Sequence, residues 1–106
     1  MSKTIAEPFR SARYGEIEAV RTWIESGQDV LVRCKHGGTL LHYAAERLHY
    51  EVAGFLLDAG IDSGVKDQSG YTPADWASMG NEIRMGCPSE SARQFIEWME
   101  SQTNKL

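Results

Sequence analysis

Much of what would signal chemistry or membrane insertion is missing from this sequence. No apolar run approaches the roughly 20 residues that a membrane-spanning helix requires, so no passage across a bilayer is expected. Basic runs are absent and the formal net charge is -4, which leaves nothing to attract nucleic acid or anionic lipid, globally or locally. The opening stretch "MSKTIAEPFR" carries an acid and a proline but no secretory apolar core, and the expectation is a cytoplasmic protein. In that setting Cys34 and Cys87, the only cysteines, read as reduced thiols. No glycine-rich phosphate loop follows a strand, and no Cys–His nucleophilic pair comes with an orienting third group. Neither catalysis nor a cofactor is expected.

What is present is an ordinary globular composition, with 42% hydrophobic and 25% charged residues in 106. That length suits one domain, able to bury roughly 65% of its unfolded surface. The strongest internal signal is self-similarity at an offset of 33 residues. Ala12 meets Ala45, Glu18 meets Glu51, Ile24 meets Leu57, Gly27 meets Gly60, Asp29 meets Asp62 and Val32 meets Val65. Further on, Gly37 meets Gly70, Thr39 meets Thr72, Ala44 meets Ala77 and Tyr43 meets Trp76. The chain therefore divides into three units, near 6–36, 37–69 and 70–102, the first lacking its opening turn.

Each unit has the pattern of two short helices and a turn-rich connection. In the middle one, Thr39 is placed to cap "LLHYAAER", and Val52, Ala53, Leu56 and Leu57 form an apolar stripe on the next segment. Gly60 closes that helix, and "IDSGVKDQSGYTP" is dense in turn residues, as a hairpin-like finger would be. Pro73 follows Thr72 at a first helical position, where its missing N–H costs nothing.

These residues resemble ankyrin repeats, whose T-P-L-H-x-A signature appears as Thr39, Leu41, His42 and Ala44, with Leu40 in place of proline. The next copy has Thr72, Pro73, Ala74, Asp75 and Ala77. The resemblance covers roughly residues 8 to 102 and implies an all-α solenoid of three helix-turn-helix repeats with short hairpin fingers, in a family whose role is binding other proteins. Solenoid repeats cannot bury their apolar faces alone, and about three are needed for stability.

His42 is the residue most open to a chemical reading. It lies three residues after Thr39, where a side chain can reach back to an unpaired backbone N–H as in a capping box. Asp75 holds the matching place after Thr72. A general base or metal ligand is not interchangeable with that acid, whereas both can serve a helix start, so His42 reads as structural. Metal binding would draw on Cys34, His36, His42, His49 and Cys87, of which only Cys34 and His36 are close in sequence. A C-x-H pair without a partner pair reads as solvent-facing loop, and no metal is expected. Trp23 and Trp98 sit at core spacing. Tyr43 and Trp76 share one column with Arg10, and that column either lines a recognition surface or packs between helices.

Two departures from the repeat stand out. Gly15, Leu48 and Asn81 occupy the turn after the first helix of each unit. A left-handed backbone at Leu48 would strain it by roughly 1–2 kcal/mol, so Leu48→Gly should be neutral or stabilising unless the leucine is buried. The third unit also carries an insertion near 81–89, in "NEIRMGCPSES", with Pro88 and Ser89 as stop and N-cap before the last helix. It is either an idle surface loop or, because Ile83, Met85 and Cys87 have no obvious place in a stack, a partner contact.

With the concave side taken as residues 6–14, 31–47 and 64–79, six cations (Arg10, Arg13, Arg33, Lys35, Arg47, Lys66) face four acids (Glu7, Glu46, Asp67, Asp75) there. The remainder has five cations against eleven acids. The expected partner is another protein with an acidic surface patch, met by a chain that is monomeric when free, either as an inhibitor or immunity-type protein that neutralises a toxin or enzyme or as a scaffold or adaptor subunit. Candidate contacts, at finger tips or exposed ends of first helices, are Arg13, Tyr14, Lys35, His36, Glu46, Arg47, Gln68, Tyr71 and Met79. Reversing Lys35 and Arg47 to glutamate should slow association with that partner at low salt, read by stopped-flow or surface plasmon kinetics; unchanged rates would discard the electrostatic argument.

Overall fold

The computed structural model describes residues 8–84 and 87–103, without the side chains of 82–84, 87, 88 and 103. Among the described residues six helices follow in order: α1 (Phe9–Arg13), α2 (Ile17–Glu25), α3 (Leu40–Glu46), α4 (Tyr50–Asp58), α5 (Pro73–Gly80) and α6 (Glu90–Thr103). Between α5 and α6 lies a minimal antiparallel pair, β1 (Glu82–Arg84) with β2 (Cys87–Pro88). The first helices α1, α3 and α5 pack side by side as one layer, and α2, α4 and α6 form the second. Met85 lies outside the described residues, as do Glu7, Lys3 and Lys105, and the side chains of Ile83, Arg84 and Cys87 lie outside them too.

Burial follows from stacking. Leu40, Leu41, Ala44, Ala45, Val52, Ala53 and Leu56 of the middle unit are wholly buried because a neighbour covers each side. Val20, Ala53 and Phe95 are likewise sealed at the matching place of the three second helices, so α6 packs in register despite the residues inserted before it. Trp23 and Trp98 are half-buried against this core, in agreement with their spacing. Small residues matter as much as large ones: Ala12, Ala44, Ala45 and Ala77 let the first helices lie close.

The helix starts are built as the two threonines indicate. The Thr39 hydroxyl accepts from the His42 N–H, and the Thr39 N–H donates to His42 Nδ1 at 3.0 Å. The Thr72 N–H donates to Asp75 Oδ2 at 3.0 Å, and Thr72 Oγ1 accepts from the Asp75 N–H at 3.2 Å. Such a cap stabilises a helix by typically about 1 kcal/mol. Ser89 Oγ accepts from the Ala92 N–H at 3.1 Å and opens α6 in the same way.

His42 does more than cap. Because Nδ1 faces an N–H donor it must accept, so the ring proton sits on Nε2, which donates to the Tyr71 carbonyl at 2.8 Å in the next unit. One buried neutral imidazole thus joins a helix start to the following finger.

The fingers are tight turns. The Gly37 N–H donates to the Cys34 carbonyl and the Cys34 N–H to the Gly38 carbonyl, both at 2.9 Å. Asp67, Gly70 and Tyr71 repeat the pattern. Gly37 has φ 85°, and a Cβ there would lie 2.6 Å from the Gln68 backbone nitrogen. Glycine is required twice over, by the turn and by the next finger, whose Gln68 N–H donates to the His36 carbonyl at 3.1 Å. Arg33 reinforces the junction by donating to the carbonyls of Gly37 at 2.8 Å and Lys66 at 2.7 Å.

The turns after the first helices use two devices. Gly15 and Leu48 adopt φ 75° and 59°. Past Leu48, the His49 ring reaches back to the Arg13 carbonyl at 2.8 Å. Asn81 differs: its φ is -133°. Its own side-chain amide donates to the carbonyls of Glu46 at 3.0 Å and Ala77 at 2.8 Å. Arg13 and Glu46 are one repeat apart, so the same carbonyl position is capped by a histidine at one junction and by an asparagine at the next.

Leu48 is left-handed yet half-buried against the core, so strain and packing oppose one another. Leu48→Ala keeps the strain and loses about 1–2 kcal/mol of apolar contact. Leu48→Gly also relieves the left-handed penalty of about 1–2 kcal/mol at a chain-entropy cost of about 0.4–1 kcal/mol. In urea denaturation the glycine variant should exceed the alanine variant by about 0.5–1 kcal/mol; the reverse order would show that the turn is unstrained.

Burial first, and then the nearby Arg33, hold His42 below the ordinary imidazole range, against the opposing pull of the Tyr71 carbonyl and Asp67. The unfolded chain therefore takes up this proton more readily than the folded one. Stability should be intact above about pH 6.5 and fall as pH drops below it. Melting curves at pH 7.5 and 5.5 test this, with His42→Asn expected to melt lower at both but with a smaller difference between them.

Candidate protein-binding surface

The 33-residue period sets residues in rows across the inner layer. Arg13, Glu46 and Met79 form one row, and Tyr43 and Trp76 belong to the row beside it. Together with His36 of the first finger and Gly80, these residues line a solvent-open hollow of about 420 Å³. Position 80 repeats the places of Tyr14 and Arg47, and there a Cβ would lie 3.0 Å from the Glu46 carbonyl oxygen.

Phe9, Tyr43 and Trp76 form a run of rings with centroids 5.4 and 5.2 Å apart. Phe9 stands one period before His42, and its contact with Tyr43 repeats that of His42 with Trp76, whose centroids are 4.9 Å apart; Arg10, one period before Tyr43, is exposed. Tyr43 and Trp76 pack between helices, and both also line the hollow. The Trp76 indole N–H donates to Asp67 Oδ2 at 2.9 Å. Burial acts to raise that carboxyl, but donation from Tyr71, Trp76 and Ser69 outweighs it and holds Asp67 below its ordinary value, so it anchors the indole as a carboxylate.

Burial, followed by its bond to Cys34, pushes the Tyr43 phenol up to about 12. It stays protonated and donates to Cys34 Sγ at 3.4 Å. This corrects the reading of Cys34 as solvent-facing: the thiol is half-buried beside Tyr43, whereas His36 is exposed. Burial raises the Cys34 thiol, but hydrogen bonds from Tyr43 and nearby backbone N–H groups leave it below its usual value. Among the described residues no three His, Cys, Asp or Glu side chains converge as metal ligands would, and no described helix is long and apolar enough to cross a membrane.

Of the nine residues selected from the sequence, Arg13, His36, Glu46 and Met79 meet in the hollow. Tyr14, Lys35, Arg47, Gln68 and Tyr71 are exposed outside its lining. The selection missed Tyr43, Trp76 and Gly80, although the first two were visible as an aligned aromatic column. Concave cations also differ in availability. Arg33 is tied to two carbonyls, and Arg13 pairs with Glu46 at 3.3 Å with its guanidinium 5.5 Å from the Tyr43 ring centre. Lys35, Arg47 and Lys66 remain exposed.

Known proteins share this pattern. The family described as "Ankyrin repeats (3 copies)" matches residues 9–85. Protein phosphatase 1 regulatory subunit 12A of Mus musculus is 46% identical over 54 residues, which is 50% of this chain and 5% of that protein. Ankyrin repeat domain-containing protein 40 of Mus musculus is 36% identical over 96 residues, covering 88% of this chain and 26% of its own length. Inactive serine/threonine-protein kinase TEX14 of Mus musculus is 29% identical over 98 residues, 92% of this chain and 6% of that protein. The chain thus spans a small part of each of these relatives. Stacked helix pairs and matching repeats lead to one conclusion: the chain belongs to the ankyrin repeat family.

Proposed function

We propose that this chain works by binding alone, gripping a partner protein with an acidic surface patch through the concave hollow and the adjoining fingers, and that occupation of the partner alters its activity. Ankyrin repeats are protein–protein interaction modules, and the observation that supports this particular face is the hollow itself. It joins three inner helices, combines ring surface with a partly exposed ion pair, and carries Met79 47% exposed at its edge. Rigid rings and an adaptable thioether are the side chains interfaces favour. Exposed Lys35, Arg47 and Lys66 supply the charge that speeds encounter with an acidic surface. A relative whose name is that of a phosphatase regulatory subunit supports regulation by contact.

Affinity capture from source cells tests the reading with three forms: the parent chain, a concave variant (Lys35→Glu, Tyr71→Ser, Met79→Asp) and an outer-layer control (Glu51→Lys). The parent and the control should retain the same partner, and the concave variant should retain at least about tenfold less, the effect of losing one hot-spot anchor. Equal capture by all three would reject the concave face. Assaying the captured partner with and without the chain separates blocking from docking.

A further inference from the structure

The chemistry of the hollow points to what enters it. Its two rings stand edge to face, at 75°, so they offer an edge and a face to an incoming group in place of a flat platform. Met79 beside them can re-pack around a guest. A volume of about 420 Å³ lies near the small end of the range for ligand sites, room for an anchor side chain and too little for a folded element.

The polar rim is unevenly satisfied. Glu46 holds Arg13 through a single oxygen at 3.3 Å, both side chains are about a quarter exposed, and Arg13 Nε is buried with no hydrogen-bond partner among the described residues. A partly exposed, single-point pair is weak and leaves the guanidinium able to re-pair with a carboxylate brought by a guest. Lys35 and Arg47, both exposed, are sequence neighbours of the lining residues His36 and Glu46.

Resting on the concave reading above, we infer that the hollow seats one aromatic side chain of the partner, carried in an acidic segment whose carboxylates meet Lys35, Arg47 and the re-paired Arg13. The aromatic group supplies apolar contact with Tyr43, Trp76 and Met79, and the flanking acids supply orientation and charge.

The test uses the whole chain, labelled with ¹⁵N and with methionine methyl ¹³C, and three synthetic heptapeptides: EDEWEDE, EDEAEDE and KKKWKKK. EDEWEDE should shift the Trp76 indole and Met79 methyl signals and bind at least tenfold more tightly than EDEAEDE. Met79→Asp should weaken it by a similar factor, and KKKWKKK should not bind. Raising salt from 20 to 200 mM should weaken EDEWEDE several-fold. Equal binding of the two acidic peptides, shifts confined to residues away from Trp76 and Met79, or preference for the basic peptide would each overturn the inference. If the concave variant loses the cellular partner while EDEWEDE fails to bind, the anchor inference alone falls; if that variant keeps the partner, the concave reading falls with it.

Discussion

Everything in this molecule depends on apolar faces that no single helix pair can cover. Seven middle-unit residues from Leu40 to Leu56 are wholly buried only because α1 and α2 lie on one side and α5 and α6 on the other. In a stack of this kind stability resides in the interfaces between neighbours as much as in the units themselves. The polar bridges follow the same logic. His42 to Tyr71, His49 to Arg13, Asn81 to Glu46 and Arg33 to Lys66 all cross from one unit to the next and end on backbone carbonyls. Carbonyls at helix ends and fingers have acceptor capacity left over, and the adjacent unit uses it.

That constraint also builds the hollow. Once the repeat spacing stacks the inner helices, residues one period apart become neighbours in a row. Side chains distant in sequence then share a hollow, which is how Arg13 reaches Glu46 and Tyr43. The same side chain consequently serves packing and surface shape: Trp76 is anchored on Asp67, packs against Tyr43 and lines the hollow. A change at Trp76 or Tyr43 would disturb both, whereas Met79, Lys35 and Arg47 stand free enough to report on binding alone. The charge argument is refined in the same way, since Arg33 is consumed by the finger junction and Arg13 is held by Glu46 through a single contact.

The fold was legible because its determinants are local and periodic. Thr39 and Thr72, the glycines of the turns and the 33-residue offset each act within a few residues or recur at a fixed interval, and the helix caps and stacked layers follow from them. The capping role of His42 and the left-handed turn at Leu48 could be read from spacing for the same reason. What spacing cannot convey is who meets whom across units. The second bond of His42, the reach of Asn81's amide to the Glu46 carbonyl in place of a left-handed turn, the half-burial of Cys34 under Tyr43, and the packing of Phe9 on Tyr43 each depend on a contact between residues from different segments. The hollow belongs with them: its rows can be written down from the period, but its shape depends on how two rings tilt and on the close approach of Gly80 to the Glu46 carbonyl. Sequence alone determined the repeated module, its capped helix starts and its need for neighbours, because those arise from backbone and short-range patterning. Only the packed structure decided which polar groups are consumed in holding the modules together and which remain to meet another molecule, because that division is a property of contacts and not of order along the chain.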